Sequence, residues 1–270
     1  MKAMFPITAK EVSHSMTSNP MLCALQFAYE ARSYEENFAT LQYLVAKTPK
    51  ESIVLAPELC LSGYAYDDME KAATFSAHIL KELAKLSTCK TLALTLIEKT
   101  EQGYANHFKL FHHGRLLYTQ SKAKLFPLGK EERYFTEGSS EAIRIYELNG
   151  IKIAVLICFE LRFPILWEQI KGADLILIPA YWGIERKMHF EVLSKALAIA
   201  NQAYVLCANG ADETTAKGSG IISPFGDVIS DDSKNLIMHP FDFLEIKKMR
   251  RYLDVGINHN VSINPFSGKD

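Results

Sequence analysis

Apolar and polar positions along the chain follow two rhythms, one near 3.6 residues and one near two. After an opening stretch without clear period, "MLCALQF" (21–27) reads as a strand. "SYEENFATLQYLVAKT" (33–48) reads as a helix: Ser33 and Glu36 make a capping box, and Phe38, Leu41, Leu44 and Val45 recur at helical spacing. A strand at 52–57 and a helix around 76–86 follow. From residue 91 the rhythm shortens. "TLALTLIEK" is a strand, and "ANHFKLF" with "RLLYTQSK" is a hairpin turned at "HHG". "AIRIYELNGIKIAVLI" (142–157) turns at Asn149–Gly150, a favoured two-residue hairpin loop because both positions need φ > 0. A helix at 164–171, the apolar strand "DLILIPA", a helix at 188–201, the strand "AYVLCAN" and a hairpin turning at Pro224–Gly226 complete the pattern.

Strands that both interleave with helices and form hairpins imply mixed sheets covered by helices, an α/β layered domain. No repeat, low-complexity linker or composition break divides the chain. Residues 20–256 are therefore expected to be one domain, between an N-terminal extension (1–19) and a C-terminal tail (257–270). The extension is expected to be loose or to lie on a partner subunit. A chain of 270 residues can bury a substantial core.

Charge narrows the partners. Lys plus Arg number 30 against 31 Asp plus Glu, so no global field favours nucleic acid or acidic lipid. No segment approaches the roughly 18–20 apolar residues of a membrane span, and the start lacks the apolar centre of a secretory signal. The expected address is cytoplasmic, with neither a nucleic-acid nor a membrane partner. Five cysteines, an odd number with no C-x-x-C pair, fit reduced thiols rather than a disulfide frame.

Three places carry candidate chemistry. Cys23, Cys89 and Cys207 read as small buried hydrophobes, the usual fate of a free cysteine. Cys158 differs, because it ends the strand "IKIAVLI" and precedes a charged, helix-starting run, where open α/β sheets hold ligands. A cysteine nucleophile usually takes a histidine base, yet none of the eight histidines lies in a setting that compels that role. Glu58, in "SIVLAPELCLSGY", either is a solvated loop carboxylate or is an acid in an apolar setting. A partly buried carboxylate has its pKa raised and can exchange protons near neutrality. Finally, "YTQSKAKLFPLGKEERYFTEG" carries Lys122 and Lys124 off a strand into a loop with Glu131. Its aromatics and Pro127 point to order rather than to a solvated charged loop.

Together these pieces resemble the nitrilase superfamily, the carbon–nitrogen hydrolases. "LAPELCLSGY" resembles the motif of the family's general base, matched by Glu58. "SKAKLF" is similar to its Lys-x-His-Leu-Phe stretch, so Lys122 matches the catalytic lysine and Lys124 stands where many members carry His. "EERYFTEG" resembles the loop with a supporting glutamate, matched by Glu131, and "CFELRFP" resembles the nucleophile motif, matched by Cys158. The likeness runs from about residue 21 to about residue 250. Two departures stand out: Leu197 and Ala200 in "KALAIAN" replace residues that the family often has charged, and the N-terminal extension is longer than usual.

The resemblance implies a four-layer α-β-β-α sandwich with two mixed sheets, assembling as a homodimer or larger homo-oligomer. It also implies a cysteine thioester mechanism that needs neither metal nor cofactor, with the Lys122 ammonium and the Phe159 backbone N–H holding the oxyanion. Arg162 is expected either to pair with a substrate carboxylate or to form an ion pair with Glu160 or Glu168. Tyr64, Tyr181 and Trp182 follow strand ends and are expected to wall the pocket. The look of "CFELRFP" favours an amidase of small carboxylated amides that releases ammonia. An N-carbamoyl amine or amino-acid hydrolase is the alternative. A catalytically silent binding or scaffold protein is the reading from another class.

Overall fold

The chain enters the fold on strand β1 (Met21–Leu25), and its side chains alternate between two cores. Leu22 and Ala24 face an interior shared with a second sheet, while Cys23 and Leu25 face helices. That period of two follows from strand geometry. The computed structural model describes residues 19–257. Apart from Asn19 and Ile257, the expected extension (1–19) and tail (257–270) lie outside the described residues.

In chain order there follow α1 (Tyr34–Ala46), β2 (Ile53–Leu55), α2 (Met69–Leu86), β3 (Thr91–Thr100), β4 (Gly103–His112), β5 (Arg115–Ser121), β6 (Tyr146–Leu148) and β7 (Ile151–Val155). Then come α3 (Pro164–Gln169), β8 (Leu175–Pro179), α4 (Lys187–Asn201), β9 (Tyr204–Ala208), β10 (Gly220–Ile222), β11 (Val228–Ser230), β12 (Leu236–Pro240) and α5 (Phe243–Tyr252). The strands make two sheets of six, ordered β12-β1-β2-β3-β4-β5 and β11-β10-β9-β8-β7-β6. In each, three parallel strands are flanked by antiparallel ones, so both sheets are mixed.

Leu41, Leu44 and Val45 of α1, with Ile79 and Leu83 of α2, cover the outer face of the first sheet. Leu166 of α3 and Phe190, Leu197 and Ala198 of α4 join the core of the second. The result is an α-β-β-α sandwich. Each fully buried Leu contributes roughly 1.5–3 kcal/mol, so the two cores hold the strand ends rigidly.

Local signals fared unevenly. The capping box forms: Ser33 Oγ accepts the Glu36 N–H, and Glu36 accepts the Ser33 N–H at 2.9 Å. Asn149 and Gly150 turn the β6–β7 hairpin at φ +50° and +80°. The second helix starts at Met69 rather than near 76, capped by Asp68. Its first turns bury only Met69 and small residues (Ala72, Ala73, Ser76), which give a faint apolar period. "AIRI" does not extend the strand, because Gln169 Nε2 takes the carbonyls of Ser140 and Ile143 at 2.8 and 2.6 Å. Strand β12 and helix α5, which only Ile246 and Met249 anchor in the core, had no sequence signal strong enough to foresee.

Candidate active site

Glu58 leaves β2 for a loop whose backbone is held from three directions. Its N–H donates to the Ala180 carbonyl at 3.2 Å, just past β8 of the opposite sheet. Tyr29 Oη donates to its carbonyl at 2.9 Å, and the next N–H, of Leu59, donates to Thr95 Oγ1 at 2.7 Å. Leu59 has φ +48°, and Cys158, which opens the 3-10 turn Cys158–Arg162 after β7, has φ +49°. A non-glycine residue held there costs on the order of 1–3 kcal/mol. The same unusual backbone thus marks both strand exits.

Lys122 follows β5 directly. Its N–H donates to the Asn106 carbonyl at 2.9 Å, and its carbonyl accepts the Gly138 N–H at 2.8 Å. A Cβ on Gly138 would lie 2.6 Å from Ser121 Cβ and 2.9 Å from its carbonyl oxygen, so only glycine lets the loop lie so close. That loop carries Glu131 back to the lysine.

The side chains converge. Lys122 Nζ is 2.8 Å from Glu58 Oε1 and 2.8 Å from Glu131 Oε1, and all three are buried. Asn106 Nδ2 donates to Glu58 Oε1 at 2.8 Å, and the Phe126 N–H donates to Glu131 Oε2 at 3.1 Å. Tyr64 Oη lies 2.9 Å from Glu58 Oε2 and 2.8 Å from Glu131 Oε1. The Cys158 thiol lies within electrostatic reach of Glu58, Lys122 and Glu131, and its Sγ accepts the Tyr181 N–H at 3.4 Å. The first sheet supplies the acid and the lysine; the second supplies the sulfur.

Burial lifts the Cys158 thiol well above its ordinary value, the Glu58 charge adds to this, and Lys122 opposes it only in part. The thiol is therefore protonated at rest. Burial also disfavours the Lys122 ammonium, but the acids beside it, Glu58 first, outweigh burial and hold the lysine above its usual range. Glu131 is raised, first by burial and then by Glu58, against the pull of Lys122.

Glu160, read in the sequence only as a partner for Arg162, has another place. Its Oε1 accepts the Ala123 N–H and its Oε2 the Ile157 N–H, both at 2.6 Å. One carboxylate thus ties the residue after Lys122 to the residue before Cys158. Burial pushes it up to about 7 despite the two backbone donors.

Outside the sulfur opens a shallow cleft lined by Phe126, Cys158, Phe159, Arg162, Tyr181, Trp182 and Arg186. Tyr64 is not in this wall; it stands behind it, with its ring 5.3 Å from that of Tyr181. Arg162 pairs with neither acid expected of it, since Glu160 holds the two backbone amides and Glu168 meets Lys171. Its guanidinium instead lies 4.5 Å from the Trp182 ring centroid and 3.2 Å from His189 Nδ1. Burial and the nearby Arg186 charge both lower its hold on the proton. Lys124 meets Glu137 at 3.7 Å, Leu197 is core, and Ala200 is exposed.

Asn106, Glu160 and Arg186 were not singled out from the sequence. Asn106 had one usable signal, an amide within the apolar run "ANHFKLF". Arg186 had none, as it sits in a polar stretch before α4. Among the described residues, no helix is long and apolar enough to cross a membrane.

Comparison with known proteins agrees with this architecture. A 2-oxoglutaramate amidase of Bacillus subtilis is 29% identical over 248 residues, covering 87% of this chain and 95% of its own. An omega-amidase of Escherichia coli K12 is 33% identical over 187 residues, 66% of this chain and 71% of that protein. The solved carbon-nitrogen hydrolase of Helicobacter pylori G27 superposes with a TM-score of 0.80 at 18% identity, over 91% of this chain and 97% of its own. The family model described as carbon-nitrogen hydrolase matches residues 22–251. Two mixed six-stranded sheets and a match across nearly the whole described chain lead to one assignment: this protein belongs to the carbon-nitrogen hydrolase family.

Proposed function

We propose that the protein hydrolyses the amide of a small carboxylated molecule and releases ammonia, through a thioester on Cys158. The observation that carries this reading is the buried Glu58–Lys122–Glu131 cluster, whose charges act on the Cys158 thiol. The amidase relatives support an amide substrate.

Because the thiol is protonated at rest, its proton must leave as the sulfur attacks. Glu58 takes that proton while Sγ bonds to the amide carbon. The oxyanion so formed is held by the Lys122 ammonium and the Phe159 N–H, each such donor being worth roughly 3–4 kcal/mol in a water-poor site. Glu58 passes the proton to the departing nitrogen, and the C–N bond breaks to leave the thioester. Glu58 then takes a proton from water, hydroxide adds to the thioester, and the proton returns to sulfur as the acid leaves. Glu131 orients Lys122 throughout. Assembly as a homo-oligomer and a cytoplasmic address, to which the free cysteines are suited, complete the reading.

Arg162 and Arg186 at the cleft favour a carboxylated substrate, by charge-assisted contacts. The test is ammonia release from a panel of ω-amides of dicarboxylic acids, neutral amides, N-carbamoyl compounds and nitriles. A carboxylated amide should turn over fastest, and Cys158→Ala should abolish release. Turnover of carbamoyl compounds alone, with carbon dioxide formed, would reject the substrate class but leave the cysteine chemistry standing.

A further inference from the structure

The Tyr64 hydroxyl has one proton and two carboxylate neighbours. Glu58 Oε2 lies at 2.9 Å and Glu131 Oε1 at 2.8 Å, both hydrogen-bond distances. A phenol can donate to only one of them. The second contact is favourable only if a carboxyl proton points at the phenol oxygen. Two anionic oxygens pressed on one hydroxyl, in a buried cluster with one ammonium for two acids, would repel.

We propose that Glu58 and Glu131 hold one proton between them through the Tyr64 hydroxyl, which makes Tyr64 a positioning residue for the base. The inference rests on the reading of Glu58 as that base. In the resting site the chain runs from the Glu131 carboxyl to the phenol oxygen, and from the phenol proton to the Glu58 carboxylate. The charge then resides on Glu58, next to the thiol whose proton it must accept. No bond to carbon changes, and the proton count of the trio is conserved.

Other groups face this trio and set its background. Lys122 bonds both acids, and Cys158, Tyr66 and Glu160 lie within electrostatic reach. Tyr29 donates to the Glu58 carbonyl from the other side. None of these supplies a second donor to the phenol oxygen at the distances seen for Glu131.

The Tyr64 ring packs against Tyr66, Phe135 and Tyr181 at 5.5, 6.1 and 5.3 Å, and Phe preserves those contacts. Tyr64→Phe therefore removes the hydroxyl alone. Two pH profiles are measured in wild type, Tyr64→Phe and Glu131→Gln: kcat/KM for the best amide, and the rate of Cys158 alkylation by iodoacetamide. The second needs no turnover. Losing a donor to the charged base should move the acid limb of both profiles up by about one pH unit in Tyr64→Phe, with kcat falling about tenfold or more and KM little changed. Glu131→Gln removes the competing acid, so its alkylation limb should move down instead. Limbs that stay in place in both variants would overturn the shared proton while leaving the amidase reading intact. Limbs that move in a protein inactive on every amide would do the reverse.

Discussion

The two sides of Cys158 are built on opposite rules. Behind the sulfur, Glu58, Lys122, Glu131 and Asn106 are buried and, with the half-buried Tyr64, are linked by bonds of 2.8–2.9 Å. In front of it, Arg162 and Arg186 are partly exposed and loosely held, by stacking on Trp182 and Phe126, by His189, and by Glu185 at 3.7 Å. A buried charge must be fully partnered, so each residue behind the sulfur is locked by the others. A charge at the mouth keeps its hydration and can exchange partners. The interior is thus built for one fixed geometry, while the mouth can be altered to suit a ligand.

The sharpest way to break this contrast is Lys122→Met. It leaves two acids facing each other in the interior, and should cost about 3–5 kcal/mol of stability in denaturant unfolding. Ammonia release should fall by at least roughly 10²–10³-fold. A stable, active variant would show that the interior is not held by charge pairing.

Glu160→Gln comes next. The amide still accepts one of the two backbone N–H groups but opposes the other, so a loss of about 1–3 kcal/mol is expected, with kcat reduced more than KM is raised. Its pH dependence has a definite sign. The folded pKa of about 7 lies above the ordinary 4.5, so the stability Glu160 contributes is complete below about 4.5 and is lost as pH rises through 7. Glutamine cannot ionise. The variant's deficit in thermal unfolding should therefore be largest near pH 4.5 and shrink as pH rises through 7.

Substitutions at the mouth should act on binding alone. Arg186→Ala and Arg162→Ala should each raise KM for carboxylated amides about tenfold or more, the cost of a charge-assisted contact, with neutral amides and melting temperature nearly unchanged. Equal losses on both substrate classes would place the arginines with the structural interior. The smallest effect is expected from Glu185→Ala, whose side chain is 86% exposed. An ion pair that open to water should change KM by less than about threefold.

Much of the fold was legible because its signals are local. Alternation in β1 and the Asn149–Gly150 turn depend on residues next to each other in the chain, as does the Ser33–Glu36 cap. The acids, the lysine and the cysteine could be picked out because polar or reactive residues stand at the ends of apolar runs. Their partners could not. Glu160 looked like a partner for an arginine four or fewer residues away, yet it binds the Ala123 amide 37 residues back. Tyr64 looked like a pocket wall, but its hydroxyl reaches Glu131, 67 residues on.

By itself, then, the sequence determined the two periodicities, the hairpin turns, the helix cap and the family to which the motifs belong. Only the tertiary structure decided which buried polar atoms satisfy one another. It set Glu58 against Ala180 of the opposite sheet, turned Tyr64 inward to two acids, and sent Arg162 outward to Trp182 and His189. The reason is physical. Backbone geometry within a few residues fixes a strand or a turn, whereas a buried donor or acceptor must be matched by whatever group packing brings to it, however distant in the chain.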